Sequence, residues 1–194
     1  MDSNSTTETC LVFGENSMVA TMIMLNSVPV YKVSTSKHGG TTDVRSSDTD
    51  ALVARIERRE ILPDTVKFPD MKGTKSLRVS KWLKRTTLAD GTTAFALQCA
   101  DGPCFLRNHH IHRLALYGTD QTSIVAHWKP QTVSSPLTLI ISPGVERSHA
   151  QIIAAFLYAE QKMRSMEQTG RLGVQTLTAV QIAQSSTVVT GPPI

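Results

Sequence analysis

The segment Ile152-Ile153-Ala154-Ala155-Phe156-Leu157-Tyr158-Ala159 is apolar on every helical face. A helix without a polar stripe has to be surrounded. Ser148 followed three residues later by Gln151 reads as a capping box. Pro143-Gly144 upstream forces a turn, Lys162 and Arg164 suit the negative end of the helix dipole, and Gly170 offers a stop. The predicted helix runs from Ser148 to Met166, roughly 28 Å at about 1.5 Å per residue. A strand of seven or eight residues, at about 3.3 Å each, spans a similar distance. The helix is therefore expected to run through a sheet curled around it, the alternative being a sandwich between a sheet and another layer. The apolar run falls far short of the roughly 20 residues that cross a bilayer.

What precedes the helix is strand-like. Ile124, Ala126 and Trp128 alternate with Val125 and His127; Phe95, Leu97 and Cys99 oppose Ala94, Ala96 and Gln98; Leu137, Leu139 and Ile141 share one side. Further strands are expected at Leu11–Phe13, Val19–Leu25, Val28–Thr35, Thr42–Arg45, Thr65–Phe68, Leu77–Ser80, Arg85–Leu88, Phe105–Arg107 and His112–Tyr117. Turns fall at Gly39-Gly40, Asp90-Gly91, Asp101-Gly102 and Gly118-Thr119-Asp120. The total is about a dozen strands, joined by connections short enough for a meander closing on itself. Ala51–Leu62 has both helical and strand periodicity.

With 194 residues, 40% hydrophobic and 19% charged, the chain suits one domain with ends to spare. Residues 1–9 are expected to form a disordered lead, 10–168 the domain, and 169–194 a mostly disordered tail. Met1–Thr9 has no signal-peptide character, and three cysteines without framework spacing suit reduced thiols. The expected location is intracellular and cytoplasmic, with peripheral membrane attachment open.

The net charge of +4 is unevenly distributed: Arg55–Arg85 holds ten of the 20 basic residues and only four acidic ones. Lys72, Lys75, Arg78, Lys81, Lys84 and Arg85 recur around Trp82 and Leu83. Such a cluster attracts anionic lipid or nucleic acid, at about 1 kcal/mol per cation near a charged membrane. It also serves as a solvated sheet edge guarded by lysines. Nucleic acid ranks last, because Trp82 is the stretch's one stacking aromatic among those cations. These six residues are the candidate lipid-binding set.

Cys99, Cys104, His109 and His112 have zinc-ligand chemistry, with His110 adjacent, but not the spacing of a finger or ribbon. Histidines in a turn and structural thiols are expected, and no metal or cofactor. No G-x-S-x-G elbow, Gly-rich phosphate loop or H-E-x-x-H is present, and the sequence pairs no carboxylates. The expectation is a non-enzymatic binding or regulatory module, with a protein-interaction scaffold as the rival and an enzyme third.

One ordered series of motifs carries a resemblance: Tyr31-Lys32-Val33-Ser34-Thr35, Thr41-Thr42, Ala54-Arg55-Ile56, Trp82-Leu83, Leu137-Thr138-Leu139-Ile140-Ile141, and the helix containing Glu160 and Arg164. Over residues 11–166 it resembles a family of uncharacterised fungal, mainly mushroom-type, proteins related to the tubby-like fold, which LURP-one-related proteins and phospholipid scramblases share. The resemblance implies a closed barrel of about 12 strands threaded by a C-terminal helix, with Ala54–Ile56 in a strand. The chain departs from the pattern at Arg58-Arg59, where an aromatic is expected. No catalytic residues transfer. Tubby domains bind phosphoinositides through basic side chains, but those positions do not align here, so the six cations stand on charge alone.

Overall fold

The computed structural model describes residues 7–15, 18–69 and 75–185, and from 168 onward only the backbone. The chain divides into two units, Met1–Tyr158 and Ala159–Ile194.

The described residues of the first unit form one antiparallel sheet of 13 strands: β1 Thr9–Phe13, β2 Ala20–Leu25, β3 Val28–Thr35, β4 Thr41–Ser46, β5 Leu52–Glu57, β6 Thr65–Lys67, β7 Leu77–Arg78, β8 Leu83–Thr87, β9 Thr93–Cys99, β10 Gly102–His109, β11 Arg113–Tyr117, β12 Ile124–Lys129 and β13 Thr138–Ile141. A four-residue helix, α1 (Val79–Trp82), separates β7 from β8, and a 3-10 turn at Glu146–Ser148 leads into α2 (His149–Ser185). Every expected strand has a counterpart. Ala51–Leu62 resolves as strand β5, with Ala54 and Ile56 buried on one face. Its neighbours offer a ladder on both sides, and paired backbone outweighs local helix propensity. The β2–β3 hairpin turns on Asn26 and Ser27, both at positive φ, as a two-residue hairpin loop requires.

Ile152, Ile153, Ala154, Ala155, Phe156 and Leu157 are each 0% exposed, so this stretch of α2 is covered on every side. A bare helix is about 10 Å wide, while strands lie about 4.8 Å apart, so one helix laid on a flat sheet covers only two or three strands. Here inward residues are buried from Val66 on β6, near one edge, to Leu97 on β9, near the other. The sheet must therefore curl about the helix. Phe156 meets Trp128 edge-on at 5.4 Å, and Trp128 meets Phe13 at 5.2 Å, which ties the helix to β12 and β1.

The sheet does not close, which corrects the expected closed barrel of about 12 strands. Its order is β7-β6-β5-β4-β3-β2-β1-β13-β12-β11-β10-β9-β8, and β7 and β8 are its two edges. Twelve successive antiparallel pairings leave those edges running in the same direction. A side-by-side parallel pair needs a crossover of a dozen or more residues, and only the four residues of α1 lie between them. The chain instead runs along one edge, makes a helical turn, and continues along the other. Leu77–Ser80 is thus only half strand, since Val79 and Ser80 belong to α1.

Two expectations at the helix ends are also corrected. Ser148 lies in the 3-10 turn, and its Oγ accepts a hydrogen bond from the Ala100 amide at 2.9 Å rather than capping α2. Gly170 does not end the helix. The backbone of α2 continues to Ser185. Residues 186–194 and 1–6 lie outside the described residues. Within the second unit Arg164 Nε donates to Glu160 Oε1 at 2.8 Å, one helical turn away.

Candidate functional site

The site is the seam where the sheet fails to close. α1 lies against β6 and β7 on one side and against β8 and β9 on the other. Val79, Trp82 and Leu83 face inward and are buried, and the Trp82 ring packs against Phe68 at 5.3 Å. Ser80 and Lys81 point to solvent. The seam is sealed from within by apolar contact and charged on its outside.

Five of the six sequence-predicted cations fall here: Lys75 just before β7, Arg78 in it, Lys81 on α1, and Lys84 and Arg85 in β8. Lys72 lies outside the described residues. All five are exposed, and no acidic residue occurs from Lys75 to Arg85. They do not form a single face. Arg85 stands opposite Phe95 and Lys84 opposite Ala96 across the β8–β9 ladder, so the two point to opposite sides of the strand. Arg78 stands opposite Thr65.

Several other arginines are paired with carboxylates. Arg55 donates two 2.7 Å bonds to Asp43, holding that carboxyl below its ordinary range. Arg59 pairs with Glu57 at 2.7 Å and Arg107 with Asp90 at 2.9 Å. Among the described residues, no ion pair neutralises any of the five seam cations.

The loop of residues 58–64 borders the seam and is pinned at both ends. The Arg58 guanidinium donates to the Gly39 carbonyl at 2.7 Å and to Thr42 Oγ1 at 3.1 Å. Burial lowers the pKa of Arg58. The Asp64 carboxylate accepts the Arg59 amide at 3.0 Å and the Tyr158 hydroxyl at 2.8 Å, while its carbonyl accepts the Val79 amide at 2.8 Å. Burial, reinforced by the bond to Asp64, pushes the Tyr158 phenol upward. One residue, Asp64, thus ties the loop and the buried helix through its carboxylate and the start of α1 through its carbonyl. Sequence reasoning missed this loop because Asp64 and Tyr158 are 94 residues apart.

The sequence-noted cysteines and histidines do not converge. Cys99 and Cys104 are buried on the inner face, where the bond Cys99 makes to Cys104, together with burial, raises the Cys99 thiol. His109, His110 and His112 stack on the outer face at 4.6 and 4.7 Å, joined by His127 of β12 at 4.0 Å from His112. His109 Nδ1 accepts the amides of Ile111 and His112, which leaves its proton on Nε2. Burial and the neighbouring imidazoles hold His109 and His127 below the usual imidazole range. The sequence places His127 on a strand face but not beside His112, although the turn at Gly118-Thr119-Asp120 folds β12 back beside β11. Among the described residues, no three metal-ligand side chains gather into a metal site, and no helix is long and apolar enough to cross a membrane.

Fold and seam together define a class: a β-rich domain in which one long antiparallel sheet wraps a buried helix and leaves a cationic junction between its edges. The chain belongs to DUF6593, a family of unknown function, whose model matches residues 16–165. A protein of Arabidopsis thaliana with a solved X-ray structure is similar over 80% of this chain and 91% of that one, at 10% identity and a TM-score of 0.48. None of the curated proteins matches the sequence.

Proposed function

We propose that this domain is a non-enzymatic module that binds anionic membrane lipid, with phosphoinositide as the candidate headgroup, through Lys72, Lys75, Arg78, Lys81, Lys84 and Arg85. One observation carries the reading: the described cations of the seam stand exposed and unneutralised, while the arginines nearest in sequence on the sheet are satisfied by carboxylates. Each cation that reaches an anionic surface supplies about 1 kcal/mol, so those that reach it together supply a useful peripheral affinity. The kinship to tubby-like, LURP-one and scramblase proteins, and a fungal origin, belong to the same proposal and rest on the motif order together with the enclosed helix. Attachment would be peripheral, from the cytoplasmic side.

A rival reading is a protein-interaction scaffold without a lipid ligand. It is favoured by β8, an edge strand that pairs, among the described residues, with β9 alone. Vesicle flotation separates the two. The full chain should float with phosphatidylcholine vesicles containing phosphatidylserine or phosphoinositide, but not with phosphatidylcholine alone, and binding should weaken between about 0.1 and 0.5 M salt as screening shortens. Charge reversal by K81E, K84E and R85E together should weaken binding at least roughly 100-fold. Equal indifference of the wild type to both vesicle types eliminates lipid binding and leaves the scaffold.

A further inference from the structure

The loop beside the seam holds two apolar side chains out in water. Ile61 is 96% exposed and Leu62 59%, followed by the exposed Pro63. Single exposed aliphatic residues are common, but here two are adjacent at the tip of a loop whose base is fixed. The amide of Arg59 and the carboxylate of Asp64 close the loop, Tyr158 holds that carboxylate, and Arg58 anchors the other limb to Gly39 and Thr42. These bonds fix the base of the loop from which the pair projects.

The position of the tip matters as much as its exposure. Thr65, the first residue of β6, pairs with Arg78, and the Val79 amide bonds to the Asp64 carbonyl, so the loop emerges at the end of β7 where α1 begins. β8 continues from there in the direction of β7, so Lys81, Lys84 and Arg85 leave from the same end. Phe95, 40% exposed, stands across the ladder from Arg85 and adds a third apolar group. Glu60 is the one exposed acidic residue in the loop, outnumbered by the five cations.

We infer that Ile61 and Leu62 form a wedge that enters the headgroup and acyl boundary of an anionic bilayer while the seam cations engage the lipid phosphates. This rests on the lipid reading above and deepens it. Apolar side chains flanked by cations are the composition of surfaces that lie in a membrane interface, whereas a site for a free phosphate or soluble headgroup would gain nothing from an exposed Ile-Leu tip. The wedge also makes a distinct kinetic and ionic signature: the cations confer salt-sensitive attraction, and the buried aliphatic area confers a salt-resistant part.

The test uses the full chain in three forms: wild type, Ile61→Ser with Leu62→Ser, and Leu62→Trp. Vesicles are phosphatidylcholine with about 30% phosphatidylserine, with and without brominated acyl chains. The serine pair should melt as the wild type does and bind roughly tenfold or more weakly, with the larger loss at high salt. The indole introduced at position 62 should be quenched by brominated chains and unaffected by inorganic phosphate. If the wild type binds anionic vesicles while the serine pair binds equally well and the indole escapes quenching, the wedge is refuted and headgroup attraction alone survives. If the wild type ignores anionic vesicles altogether, the lipid reading and the wedge fall together.

Discussion

Phe156→Ala is the most direct probe of the enclosed helix. The ring is 0% exposed and meets Trp128 edge-on at 5.4 Å, with an interplanar angle of 88°. Trp128 is itself held by Phe13 at 5.2 Å. Truncation removes the transfer free energy of the ring and leaves a void that the surrounding ladders cannot collapse to fill, a change that costs about 3–5 kcal/mol. Part of this is the aromatic edge contact, itself worth about 0.5–1.5 kcal/mol. For a chain of this size, with about 2–4 °C per kcal/mol, the melting temperature should drop by roughly 6–20 °C. Urea denaturation followed by tryptophan fluorescence measures the loss directly, since Trp128 reports the site. Val133→Ala, at a fully exposed position, is the control and should stay within about 0.5 kcal/mol. A loss below about 1 kcal/mol for Phe156→Ala would mean that the ring sits where neighbours relax or water enters, and the wrapped-sheet argument would fail with it.

Two further outcomes test the loop base and the histidine stack. Tyr158→Phe removes a hydrogen bond to the Asp64 carboxylate and should cost about 1.5–3 kcal/mol in urea denaturation, while Asp64 keeps its bond from the Arg59 amide. His109, His127 and His149 have folded-state pKa values below the ordinary one, chiefly from burial, so the unfolded chain takes up protons first as pH falls through about 6.5. Stability should be intact above that pH and decline from about pH 6.5 downward, and His127→Gln should flatten the decline in melting temperature between about pH 7.5 and 5 despite the opposing charge of Glu8.

What was legible in the sequence follows from what each pattern reports. Alternation such as Ile124, Ala126 and Trp128 reports a strand with one buried face, and each such run became a strand. The apolar run from Ile152 reports a helix without a solvent side, and those side chains are covered. Closure was not legible, because it depends on the parity of the strand count and on four residues. Val79-Ser80-Lys81-Trp82 is too short for either period to show itself, yet its one helical turn decides that β7 and β8 meet end to end. Ser148 looked like a cap because a capping box is a local pattern, while the Ala100 amide that claims its hydroxyl comes from 48 residues away. Gly170 looked like a stop because glycine accepts the left-handed conformation after a helix, but inside a helix it costs only about 1 kcal/mol relative to alanine.

The cations at the seam have two physical explanations that a charge count cannot separate. A sheet that ends in β7 and β8 exposes backbone groups able to recruit another chain, and lysine or arginine on an edge strand blocks that pairing. Edge protection accounts for Lys84 and Arg85 on β8. It does not account for Lys81, which lies on α1 where no ladder can form, or for an Ile-Leu tip held out beside it. An edge guarded against association would gain by hiding those two side chains, not by fixing their loop open with the Asp64 and Arg58 bonds. The positive charge and the exposed aliphatic pair share one end of the seam, and the anionic bilayer we propose as partner has a chemistry that would use both.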